Sequence, residues 1–274
     1  MCRKLAFAAT ALALIASPAL AEKAKPSAAP ASSLAAETVA KATAEQRAQA
    51  DRSDPLARAA FWNAQVNLDP HDIEAALKLS VALRNIDRFP EAADAAQRIV
   101  LLQPRNVEAM LEVARAHLAA GKGFDAIKPL REAQVLTPRD WRIASLLGVA
   151  YEQVGRDKDA QDTYNQALVL SPENPAVLSN LAMMRMAKGQ SAEAEALLRR
   201  AVVRPGVTIQ IRQNLAMALA LQGKIDAAEQ LLREDLPPEL ANNNLAYLKA
   251  MTGKGETPVG TTLAPRTWDS LRGG

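Results

Sequence analysis

Four prolines, Pro70, Pro104, Pro138 and Pro172, follow one another at intervals of 34 residues, and so do four glycines, Gly121, Gly155, Gly189 and Gly223. A third series, Ala92, Ala126, Ala160, Ala194 and Ala228, keeps the same interval. Three residue types with different backbone demands sharing one period define a tandem repeat whose unit is a single supersecondary element. The residue types say which element it is. Glycine adopts a left-handed backbone without a Cβ penalty, so it suits the turn that closes a first helix. Proline stops a second helix and pre-sets the start of the next, because the residue before it avoids the helical region. Alanine early in the second helix leaves room for a close helix crossing. Aromatic residues make up only 4% of the chain, which starves a β-sandwich of strand formers and suits tightly packed helices. The expected fold is all-α.

The clearest unit reads as a first helix from Trp141 to Val154, a turn at Gly155-Arg156, and a second helix capped by Asp157 and running to about Leu170. Leu147, Gly148, Tyr151, Ala160, Tyr164, Ala167 and Pro172 place small, large and helix-breaking residues in a pattern that resembles the tetratricopeptide-repeat family. It departs from the family at the early aromatic position of the first helix, which is Ala144 here. The resemblance implies a right-handed α-solenoid in which the first helix of each unit, helix A, lines a concave surface and the second, helix B, lines the outside.

In this frame residues 73–238 hold five repeats, Ile73–Asn106, Val107–Asp140, Trp141–Asn174, Pro175–Thr208 and Ile209–Pro238. Asp87 stands where the other turns have glycine, and Arg204-Pro205-Gly206 brings its proline one residue early, implying a small loop irregularity before the fifth repeat. Residues 34–72 read as a degenerate capping helical pair, 239–251 as a cap helix and 252–274 as a disordered tail. Residues 22–33, rich in Ala, Ser and Pro, read as a flexible tether.

Residues 1–21 have the layout of a secretory signal peptide: Arg3 and Lys4, an apolar run from Leu5 to Ser17, and small residues at Ala19 and Ala21. The alternative is an uncleaved amphipathic helix. The expected location is the periplasm, with peripheral outer-membrane association open. The apolar run falls short of the ~20 residues that span a bilayer, so no integral membrane span is expected. Cys2, the only cysteine, lies inside the signal and ahead of the apolar run, where neither a disulfide nor a lipid anchor is expected of it. Without Arg3 and Lys4 the formal charge of +3 falls close to neutrality, which is no footprint for nucleic acid.

Catalysis needs convergent polar groups, and none stands out. His71 lies beside a helix stop, and His117 is inward-facing in the family. Gly121-Lys122-Gly123 is a repeat turn with no strand before it, so it is not a phosphate loop. No enzyme activity, cofactor or metal is expected. What remains is protein binding. Family geometry directs helix A positions two, five, six, nine and twelve into the groove, which gives Arg84, Glu108, Arg115, Arg142, Asn180, Met183, Met186, Asn214 and Met217.

Asn180 and Asn214 occupy matching places. In related peptide-binding repeats such an Asn holds the ligand backbone by donating and accepting at once; the alternative is that Asn merely suits this helix surface. Met183 and Met186 are assigned to the groove as soft contacts, and Met184 to the core. Concentrated lysines are missing, so recognition of a C-terminal acidic peptide is not expected.

Within the family, Arg212-Gln213-Asn214-Leu215-Ala216, Leu221-Gln222-Gly223, Asp235-Leu236-Pro237-Pro238 and Asn243-Asn244-Leu245-Ala246-Tyr247-Leu248 resemble the exported repeat proteins of tight-adherence (Flp) pilus assembly. That resemblance implies a periplasmic scaffold holding an envelope or pilus-assembly protein in its groove. The alternative is a general periplasmic holdase or an adaptor for cell-wall enzymes.

Overall fold

A helix that meets a residue in the left-handed region must turn, and positive φ falls on Gly121, Gly155, Gly189 and Gly223. Asp87 adopts it too, at φ 60°. Its short polar side chain makes Asp one of the few non-glycine residues to visit this region. The first repeat therefore turns as the others do.

The computed structural model describes residues 41–253. The expected signal, tether, residues 34–40 and the tail from 254 onward lie outside the described residues. Two helices lead, α1 (Ala44–Asp51) and α2 (Pro55–Leu68). Five A/B pairs follow: α3 (Ile73–Arg84) with α4 (Phe89–Leu102), α5 (Val107–Ala119) with α6 (Gly123–Leu136), α7 (Trp141–Gln153) with α8 (Asp157–Leu170), α9 (Pro175–Ala187) with α10 (Ser191–Val202), and α11 (Ile209–Leu221) with α12 (Ile225–Asp235). A last helix, α13 (Pro238–Met251), closes the array. Among the described residues there is no strand, and the molecule is an all-α helical solenoid.

Both ends of each A helix have a local cause. Asp72, Asn106, Asp140, Asn174 and Thr208 precede the five A helices, and each side chain accepts a first-turn backbone N–H, satisfying a donor that the helix itself leaves free. At the other end the chain reverses within one turn: the Lys122 N–H donates to the His117 carbonyl and the Arg156 N–H to the Tyr151 carbonyl, both at 2.8 Å, the bond of a Schellman closure. This reversal corrects the expected cap of α8. Arg156 occupies the cap position and makes no side-chain cap bond, while Asp157 is the first helical residue. There its charge still favours the helix N-terminus.

The pairs are held by small-to-large contacts. A Cβ added at Gly148 on α7 would lie 2.4–2.8 Å from ring atoms of Tyr164 on α8, so only glycine lets that ring lie flat on the helix. Ala160, Tyr164 and Ala167 are fully buried. Between the fourth and fifth repeats a continuous apolar cluster is joined by a polar link. Glu195 of α10 accepts from Gln222 at 2.8 Å and Lys224 at 2.6 Å across the repeat boundary, and from Arg199 on its own helix at 2.8 Å. The Lys224 ammonium, outweighing burial and helped by Gln222 and Arg199, holds the Glu195 carboxyl down to about 2.

Candidate functional groove

Successive A helices touch directly, α3 with α5, α5 with α7, α7 with α9, α9 with α11 and α11 with α13. This row forms the inner side of the solenoid's curve, where neighbours crowd most. Its two halves differ in chemistry.

In the first half the groove-facing charges are spent on one another. The half-buried Arg84 and Arg115 converge on the buried Glu112: Arg115 Nη1 donates to Glu112 Oε1 at 2.6 Å, and Arg84 Nη2 stands 3.6 Å from Glu112 Oε2. Arg142 donates to Asp140 at 2.6 Å and, through the same nitrogen, to Glu108 of the preceding repeat at 2.7 Å. Asp140 first and Glu108 second raise the Arg142 pKa above its ordinary value. Arg47 of α1 reaches Asp72 and Glu74 of α3, and Lys78 reaches Asp51. Arg84, Glu108 and Arg142 are thus ion-paired from repeat to repeat, and Arg115 is paired within its own helix.

The second half begins with amides. Asn180 Nδ2 donates to Ser145 Oγ at 3.1 Å, and Asn214 Nδ2 donates to Ser179 Oγ at 3.0 Å. The same bond, made in two successive repeat interfaces, ties A helix to A helix. The expectation that Asn214 meets a ligand is corrected: Asn214 is 2% exposed, with its amide turned onto Ser179 of α9. Its Oδ1 is buried without a hydrogen-bond partner. Asn180 is only half-buried and remains on the groove wall.

Beyond these amides lies a cavity of about 280 Å³. Met183 and Met186 of α9, Met217 of α11 and Met251 of α13 line it, with Val149 and Leu221 extending the apolar wall. Met184, one residue away, is buried in the core at 1% exposure. Polar groups stand at one side: Glu152, Gln153 and the Tyr164 hydroxyl, which donates to Glu152 at 3.2 Å. An apolar wall with a few polar groups at one side is the general form of a site for an apolar group.

Family models described as tetratricopeptide repeat match residues 77–140, 125–175 and 145–206, and a further one matches 208–236. Together they cover more than half of the chain. The chain belongs to the tetratricopeptide-repeat family. Among solved structures it is similar to the thermophilic TPR protein TTC0263 of Thermus thermophilus, at TM-score 0.55 and 22% identity over 64% of this chain and 94% of that one. It is also similar to a chain of the APC/C hetero-tetramer Cut9–Hcn1, at TM-score 0.58 and 17% identity over 77% of this chain and 42% of that one. Pseudomonas aeruginosa PilF aligns at TM-score 0.49 and 16% identity over 69% of this chain and 84% of that one. The first two likenesses show the fold alone. The comparison with curated proteins finds no match.

As a tetratricopeptide-repeat groove, this one includes residues that reading the chain as text did not reach. Val149 and Met217 share one position in the repeat, and the frame already pointed there. Glu152 shares its position with Met186, and Gln153 shares its own with Leu221, at the C-terminal end of helix A. Met251 lies 34 residues beyond Met217, itself 34 beyond Met183, so it keeps the period although α13 starts earlier in its unit than the A helices do. His117 is half-buried, and that burial lowers its pKa. Among the described residues no cluster of His, Cys, Asp or Glu is placed to hold a metal. Nor is any helix there long and apolar enough to cross a membrane.

Proposed function

We propose that this chain is an exported, non-catalytic scaffold that grips a protein partner by an apolar segment in the second half of its groove, and that it assists assembly of a tight-adherence (Flp) pilus secretion system in the periplasm. The methionine-lined cavity carries the reading. Methionine is unbranched and polarizable, so it adapts to apolar side chains of different shapes. The charged first half, neutralised within the protein, offers shape and hydrogen bonds in preference to net charge. The signal-like leader and the strings from Arg212 to Leu248 support the envelope and pilus assignment.

Affinity purification from the periplasm of a pilus-forming host tests it, with unmodified chain and with Met217→Glu as paired baits. The expected result is a pilus or secretion component retained by the first and lost by the second. A broad set of outer-membrane proteins bound equally by both would replace the reading with a general holdase.

A further inference from the structure

Sulfur is concentrated on one wall of the solenoid. Of the seven methionines in the chain, four line the cavity in the second half of the groove: Met183, Met186, Met217 and Met251. Met183, Met217 and Met251 hold the same step of three successive units, 34 residues apart. They also differ from the others in their access to solvent. Met251 is 42% exposed and Met183 and Met217 are half-buried, whereas Met186 is buried at the cavity wall and Met110 and Met184 lie in the core. The one cysteine, Cys2, lies outside the described residues. Among the described residues, therefore, no thiol competes for a two-electron oxidant, and the open thioethers are the soft groups that it meets.

We propose that Met183, Met217 and Met251 form a reversible oxidation site, which closes the second half of the groove to apolar ligands when its thioethers become sulfoxides. The inference rests on the groove reading above and adds a control on the same wall. The oxidant is hydrogen peroxide. Its O–O bond breaks, one oxygen joins the sulfur through a sulfur lone pair, and the other leaves with both hydrogens as water. The return step takes two thiols, which supply two electrons and two protons, release the oxygen as water and end as a disulfide.

A thioether makes little demand for a hydrogen bond, but a sulfoxide oxygen is a strong acceptor, and covering it with an apolar group is costly. The polar groups on the wall are turned to other partners. Asn180 Nδ2 donates to Ser145 Oγ at 3.1 Å, Gln153 Nε2 to the Leu118 carbonyl at 2.9 Å, and the Tyr164 hydroxyl to Glu152 at 3.2 Å. The oxidised wall accordingly keeps its water, and an apolar ligand that displaces it cannot replace the bonds that it makes.

The probe is the apolar dye bis-ANS, titrated into the full chain before and after peroxide treatment. The pocket's share of its binding is the share that Met217→Glu removes. Should that substitution unfold the chain, Met251→Glu, at the most exposed of the four, takes its place. Tandem mass spectrometry reads which methionines gain oxygen. The expected order is Met251 first and Met183 and Met217 next, with Met110 and Met184 at least about tenfold slower than Met251 and the circular dichroism still helical. Once the three are oxidised, the affinity of the pocket for the dye falls about tenfold. Dithiothreitol with sulfoxide reductases for both epimers restores it. The chain carrying Met183→Leu, Met217→Leu and Met251→Leu, compared with its own untreated state, does not respond to peroxide.

Dye affinity that survives full oxidation of the three, or that falls as far in the triple-leucine chain, overturns the proposal. Oxidation of Met110 and Met184 in step with Met251 does so as well, because peroxide would then be unfolding the chain. Dye binding that Met217→Glu and Met251→Glu both leave intact also overturns it, since the pocket then takes no apolar ligand for oxidation to exclude. None of these measurements uses the partner. The groove reading fails separately, when Met217→Glu leaves partner capture unchanged.

Discussion

The two halves of the groove share one backbone plan and differ in what the same positions hold. Position nine of helix A is Arg115 in the second repeat and Met183 and Met217 in the fourth and fifth, while position six runs from Lys78 and Glu112 to Asn180 and Asn214. In the first half these positions join repeats through ion pairs. In the second half amides join the repeats, and the methionines are left facing a cavity. A repeat can therefore spend its inner positions on cohesion or leave them facing a cavity, and this chain does each in a different stretch.

The largest effect expected from breaking this division is on partner affinity. Met183→Glu with Met217→Glu places two carboxylates in an apolar cavity, and a penalty of about 3 kcal/mol, or roughly a hundredfold in affinity by calorimetry, is expected. Urea unfolding should change far less, because both side chains are only half-buried.

Glu112→Ala is the converse. It strands Arg84 and Arg115 in a half-buried setting and should lower unfolding stability by about 2–3 kcal/mol, with partner affinity held within about twofold. A large loss of affinity would erase the distinction between the halves.

Glu195→Gln should cost about 1–2 kcal/mol at neutral pH, a pKa shift discounted for its exposed partners Lys224 and Arg199. The sign follows from a folded-state pKa below the unfolded one. The stabilisation is complete above the ordinary value of 4.5 and is lost as pH falls toward about 2. Denaturant midpoints of the two proteins should accordingly converge across that window.

The smallest effect is that of Asn214→Ala, about 1 kcal/mol of stability for the lost bond to Ser179, with no change in partner affinity. An affinity loss as large as that of the methionine substitutions would return Asn214 to the binding surface.

Much of the architecture is legible in the chain as text. The proline, glycine and alanine series carry the all-α solenoid, because each depends on local backbone chemistry. Another series keeps the same step: Asp72, Asn106, Asp140, Asn174 and Thr208, capping residues one repeat apart. The site is less legible. The family frame brings Met183, Met186 and Met217 to one wall, but it cannot say that Asn214 is buried. Nor does it show that Glu108 meets Arg142, since such pairings depend on helix rotation and on the step between repeats. Met251 keeps the 34-residue step from Met217, but α13 starts out of phase with the A helices, so the step alone does not say that it faces the cavity.

The central claim is that the partner is held by the second half of the groove. Hydrogen–deuterium exchange on the full chain, free and bound to the captured partner, tests it most directly. The account predicts new protection at the C-terminal turns of α9, α11 and α13, around Met186, Leu221 and Met251, with α3 and α5 unchanged. Protection centred on Arg84, Glu112 and Arg115, with the methionine helices unchanged, would contradict it.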